Sequence, residues 1–160
     1  MYKRQGQHVP VYLGMVQYGE QALAKAYREV GARHADSAEI GSRSLSFANR
    51  SGSTGEVLQT FALRYGADAE REAEHLRSAL FSGVRQGNLG ILQDLHDLHT
   101  LASHQSIGYF ALHQAGSALK DEALARASQV RMEELAVEQE WMNRQIREIA
   151  AQALVVPSLP

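Results

Sequence analysis

The chain has 160 residues, 16 basic against 18 acidic side chains and no cysteine, which excludes a disulfide scaffold and a thiolate metal site. At this length one domain is expected, burying roughly 70% of its unfolded surface. The charges are spread without a basic block and no apolar run approaches ~18 residues, so neither a nucleic-acid partner nor a membrane is expected, and the cytoplasm is the expected compartment.

Residues 1–18 read as an N-terminal arm with one short helical turn. Lys3 and Arg4 precede Val9-Pro10-Val11-Tyr12-Leu13, a run too short for a signal-peptide core. Residues 19–50 then place Leu23, Tyr27, Val30, His34, Ala38, Gly41, Leu45 and Ala48 at steps of three and four, the period of a helix with one apolar face. Ser51-Gly52-Ser53-Thr54-Gly55 interrupts this pattern. Ser53 and Glu56 have capping-box spacing, so a second helix is expected from there. Its stripe is Leu58, Ala62, Tyr65, Ala69, Ala73, Leu76 and Leu80, and Gly83 to Gly90 forms the next break. A third stripe follows through Ile91, Leu95, Leu98, Ala102, Gln105, Tyr109 and Leu112, up to Ala115-Gly116-Ser117. The fourth helix opens with Asp121 and Glu122, which favour the helix dipole. Its stripe is Leu119, Ala123, Ala127, Val130, Glu134, Val137, Trp141, Gln145 and Ile149. Two prolines make residues 153–160 a non-helical tail.

The pattern is all-α. Four helices over residues 19–152 predict a four-helix bundle. Alanine-rich stripes and the single Trp141 leave apolar flanks, so a homodimer is expected.

Polar residues on the stripes need partners. His34 reads as a hydrogen-bonded core residue, and Gln105 and Gln145 as hydrogen-bonders within the bundle. An unpaired buried carboxylate at Glu134 is costly, so it needs a metal or an arginine such as Arg131; both stay open. Glu72-Ala73-Glu74-His75 puts a carboxylate and an imidazole one turn apart, as a bundle metal site requires of one helix. The same stretch is highly charged, which fits a solvated face equally. His96 and His99, with Asp94 and Asp97, fall beside a face marked by Leu92, Leu95 and Leu98, so a polar helix surface accounts for them. His104 and His113 have no partner at useful spacing.

Ala38-Glu39, Glu72-x-x-His75, Ser106-Ile107-Gly108-Tyr109-Phe110-Ala111-Leu112, Lys120-Asp121-Glu122-Ala123-Leu124-Ala125 and Glu133-Glu134 together resemble the ferritin-like superfamily, in its YciE/YciF-type stress-protein branch. The match is best from Leu98 to Ala150. The resemblance implies a di-iron carboxylate site within the bundle, with metal ligands Glu39, Glu72, His75 and Glu134. A shift of one turn substitutes Asp68 and Glu72, and Glu138 stands beside Glu134. Two implied positions are unfilled: Ala102 and Gln105 stand where the third helix should present a carboxylate, and Val137 where a histidine should follow Glu134.

The expected function is therefore a stress-associated, ferritin-like bundle with a degenerate or absent di-iron site and a structural or interaction role, without catalytic or cofactor-binding residues. The alternative is a ferritin-like protein that binds iron or manganese and acts in oxidation or metal sequestration; oxygen ligands with one imidazole suit those metals.

Overall fold

A computed structural model of the chain describes residues 6–66, 72–81 and 85–157, with side chains from His75 onward in the middle stretch. Among them every regular element is a helix: α1 Val9–Arg33, α2 Ala38–Tyr65, α3 Glu72–Leu80, α4 Gly87–Leu119 and α5 Glu122–Val155. The all-α expectation holds. Asp68, Ala69 and Gly83, and the side chains of Glu72 and Ala73, lie outside the described residues.

The first helix starts ten residues earlier than expected. Pro10 sits in its first turn, where the missing N–H has no helical partner to lose. The face that opens there is Leu13, Val16, Glu20, Leu23, Tyr27 and Val30, all buried. A charge in the middle of that run hid its continuity. The chain then turns at residues 34–37. The His34 N–H bonds the Val30 carbonyl, and the extended Ser37 precedes α2.

α2 runs unbroken through Ser51–Gly55, where the sequence suggested a break. Glycine inside a helix costs about 1 kcal/mol. Burial of Phe47, Ala48, Ser51, Leu58 and Phe61 along one face offsets it, since each large apolar side chain buried contributes about 1.5–3 kcal/mol. Thr54 donates its hydroxyl to the Arg50 carbonyl at 3.0 Å, so it makes no demand outside the helix. Gly66, with φ of 70°, ends α2 in the left-handed conformation.

The turn between α4 and α5 falls at Lys120 and Asp121, just beyond the expected break at 115–117. Asp121 caps α5 by accepting the Leu124 N–H at 3.1 Å. Gly116 serves close approach instead: a Cβ there would lie 2.7 Å from the Ala125 backbone nitrogen. α5 continues to Val155, so the tail begins later than residue 153.

α1 packs along α2, α4 along α5, and α1 against α4, with α3 lying mainly on α1. Phe47 of α2 joins three helices. Its ring meets Tyr27 of α1 and Trp141 of α5, each at 5.4 Å between centroids. α2 and α5 adjoin with sparse contact.

The ends of the helices fix their directions. Arg64 and Tyr65, at the end of α2, bond Asp121 in the α4–α5 turn. Arg33 and His34, at the end of α1, bond Asp94 in the second turn of α4. α2 and α4 therefore run the same way. The chain crosses the length of the molecule between them, and α3 belongs to that crossing.

Candidate functional site

The polar centre of the molecule is a buried arginine held between two buried glutamates. Arg131 of α5, Glu20 of α1 and Glu138 of α5 are at most 2% exposed. Arg131 Nε donates to Glu20 Oε1 at 2.9 Å, and Nη2 donates to Glu20 Oε2 at 3.1 Å, a paired grip that suits the guanidinium fork. Nη1 donates to Glu138 Oε1 at 2.8 Å and to Glu134 Oε2 at 3.4 Å, and Nη2 also reaches Ser51 Oγ of α2 at 3.1 Å. Every N–H donor of the guanidinium thus has an acceptor.

Two tyrosines complete the shell. Tyr27 donates to Glu138 Oε2 at 2.8 Å, and Tyr109 of α4 donates to Glu20 Oε1 at 2.6 Å. Gln105, one turn before Tyr109, donates Nε2 to the Val16 carbonyl at 2.9 Å, and the bare Gly19 leaves the space that its amide fills. Arg50 adds a second cation, 3.8 Å from Glu138 Oε1.

Burial pushes the Tyr27 and Tyr109 phenols well above their usual range, and the adjoining carboxylates push them further. Both therefore stay protonated as donors. Arg131 is pulled toward neutrality by burial, but Glu20 and Glu138 more than reverse this and hold it as a permanent cation. Burial raises Glu138 above the ordinary carboxylate value, against the pull of Arg131. The assembly fixes charges in place. It offers no free nucleophile and no vacant coordination position.

Asp94 forms a second buried cluster. It accepts from Arg33 Nη1 at 2.9 Å, stands 2.7 Å from His34 Nε2, and meets Arg85 at 3.5 Å. Arg85 also pairs with Asp97 and donates to the Leu80 carbonyl. This corrects the reading of Asp94 as part of a polar surface: it is fully buried. His34 is the hydrogen-bonded core histidine that the sequence suggested.

The four residues singled out as metal ligands are placed as follows. Glu39, half-exposed at the start of α2, accepts from Trp141 Nε1 at 2.9 Å and pairs with Arg43. Glu134 lies at the rim of the buried centre, on Arg131. His75 is exposed on α3, and the Glu72 side chain is outside the described residues. Glu39 and Glu134 do not converge, because Glu39 faces Trp141, two turns further along α5. Among the described residues no group of three or more His, Asp or Glu side chains is arranged to hold a metal.

Sequence reasoning passed over Glu20 and Glu138 as principal residues, and took Tyr27 and Tyr109 only as apolar stripe positions. The signal was present in the spacing. Glu20 and Tyr27 are seven residues apart on one stripe, as are Arg131 and Glu138. The stripe of α5 runs through Leu124, Ser128, Arg131, Leu135, Glu138 and Met142, one position away from the expected one. Val130 and Val137, assigned to the core, are exposed.

Two open clefts approach this centre from either side of Ser51–Gly55. One, of about 410 Å³ between α1 and α2, has Glu20 and Ser51 in its wall; the other, of about 530 Å³ between α2 and α5, has Arg131 and Glu134 in its wall. Comparison with family models, with curated proteins and with solved structures finds no match. No helix among the described residues is long and apolar enough to cross a membrane.

Proposed function

We propose that the chain is a ferritin-like four-helix bundle whose interior carboxylate site is closed by an arginine, and that it serves a structural or interaction role in a stress-associated setting. The fold part of this reading draws on the crossing between α2 and α4. Two helical hairpins joined by one long crossover are the ferritin-like arrangement.

The observation that carries the rest is Arg131 seated between Glu20 and Glu138 with every donor used. A two-metal site of this class takes a glutamate from each of two helices and a glutamate–histidine pair from each of the other two. At the level of Arg131 this chain presents Glu20 from α1, Ser51 from α2, Tyr109 from α4, and from α5 the carboxylates Glu134 and Glu138 with the Arg131 cation between them and Glu20. That donor set does not fit two metal ions, because a fixed positive charge occupies the place where they would be bound.

Metal analysis by inductively coupled plasma mass spectrometry, after anaerobic ferrous loading and then oxygen, tests the reading. The expected result is no stoichiometric iron or manganese and no oxo-bridge absorption. Two iron atoms per chain, lost in Glu20→Gln, would support the oxidative or sequestering alternative instead.

The interaction role is proposed to include a homodimer. α4 exposes Ile107 and Phe110 one turn apart, and α1 exposes Val11 and Tyr12. Apolar surface of this kind marks contact faces when it is contiguous.

A further inference from the structure

The seam between α2 and α5 is the second feature that departs from ordinary packing. α1–α2 and α4–α5 are closely packed, while α2 and α5 adjoin with little contact. The result is two separate clefts in line: about 530 Å³ beside Val57 and Val130, and about 380 Å³ beside Phe47 and Trp141. The larger lies in the size range of small-molecule pockets. Its apolar wall is Val57, Ala123, Ala127 and Val130, with Val57 53% and Val130 45% exposed. Two arginines flank that wall, Arg50 from α2 and Arg126 from α5.

Of the two arginines, Arg126 is the one whose charge is unspent. Arg126 has no hydrogen-bond or ion-pair partner among the described residues. Arg50 has only the 3.8 Å approach to Glu138 and its stacking over Phe47. Glu134, the acid in the wall, is already engaged by Arg131. An apolar wall with the free Arg126 guanidinium on its rim suits a ligand with a hydrocarbon body and an anionic end. Guanidinium groups bind carboxylates in pairs of parallel hydrogen bonds. The seam is divided into two clefts and does not form one continuous groove, which favours a short ligand over a partner helix.

We propose that the α2–α5 cleft is a binding site for a single-chain amphiphilic carboxylate, such as a medium-chain fatty acid, with its carboxylate on Arg126 and its chain on Val57, Ala127 and Val130. The cleft shares Arg131 and Glu134 with the edge of the buried centre, while Arg126 and Val130, on which the test turns, lie outside that centre.

Isothermal titration calorimetry with sodium decanoate, below its micelle concentration, is the test. Decyltrimethylammonium serves as the cationic control, and Arg126→Glu and Val130→Glu as variants. Both substitutions fall on exposed positions, and circular dichroism melts establish that each variant is folded. The expected result is one decanoate per chain, weakened about tenfold or more in each variant, with the cationic amphiphile bound about tenfold more weakly than decanoate by the wild type. Absence of saturable decanoate binding overturns the proposal. So does equal affinity for the two amphiphiles, or unchanged binding in both folded variants.

Discussion

Arg131 grips both carboxylate oxygens of Glu20, a residue 111 positions earlier in the chain, through Nε at 2.9 Å and Nη2 at 3.1 Å. This contact ties α5 to α1 across the interior, between helices that share no close backbone packing. Its energetic meaning is asymmetric. Burying ions costs several kcal/mol each, and their mutual attraction roughly repays that only while every partner is present.

Arg131→Met is therefore expected to destabilise the fold by about 3–5 kcal/mol, because it strands Glu20 and Glu138 without a cation. Replacing the whole set should recover most of that loss: Arg131→Met with Glu20→Leu and Glu138→Leu, and with Tyr27→Phe and Tyr109→Phe to remove the hydroxyls left without acceptors. Urea unfolding midpoints measure both. A single variant as stable as the wild type would mean that water reaches the centre.

The raised Glu138 gives a pH signature. Burial lifts its folded value above the ordinary glutamate value of about 4.5, so the folded protein holds this proton more tightly than the unfolded chain. The contribution is full below the unfolded value and is lost as pH rises through the folded one. Glu138→Gln removes the titration and can still accept from Arg131. The stability difference, wild type minus Glu138→Gln, should fall as pH rises above 4.5. Chemical unfolding at a series of pH values reads it, and a flat or rising difference would contradict the assignment.

Glycines in this chain divide by what surrounds them. A Cβ added at Gly52 or Gly55 meets nothing within 4 Å, and both lie inside α2. Gly52→Ala and Gly55→Ala should each stabilise by about 0.5–1 kcal/mol, through helix propensity and a less flexible unfolded chain. Gly19→Ala should do the reverse, since its Cβ would fall 1.7 Å from Gln105 Oε1. Thermal melts of the three variants separate the two classes by sign.

The proposed homodimer gives a direct mass prediction. Light scattering at micromolar concentration should return twice the 17.6 kDa of the chain. Phe110→Glu, at a position 59% exposed, should return the monomer with its helical content intact. A monomer mass for the wild type would remove the dimer from the reading.

Much of the helical architecture was legible in the sequence, because apolar residues at steps of three and four report a buried face directly. Three features masked it. Residues 9–18 read as an arm although α1 begins at Val9, and residues 19–50 read as one helix although the chain turns at 34–37. Ser51–Gly55 carries strong turn composition, yet tertiary packing on Phe47, Leu58 and Phe61 overrides local preference. The site was harder to read. A lone glutamate or arginine on a helix usually faces solvent, and only the pairing of Glu20 with Arg131 across the fold makes their burial tolerable. The sequence links Glu134 to Arg131 as one way of satisfying the carboxylate, but Glu134 is the rim residue, and Glu138, one helical turn further on, is the one at the centre.

The shared direction of α2 and α4 also bears on how the chain reaches this structure. α1 with α2, and α4 with α5, are neighbours joined by turns of four and two residues, at 34–37 and at 120–121. Each pair can zip up locally, at small cost in loop entropy. The contacts that unite the pairs, Glu20 with Arg131 and Tyr27 with Glu138, both join residues 111 apart. Distant closures of this kind slow folding, because entropy is lost before contacts form. The charged centre is therefore expected to assemble at the final docking of two preformed hairpins. Stopped-flow kinetics should find that Arg131→Met mainly speeds unfolding and leaves the folding rate nearly unchanged.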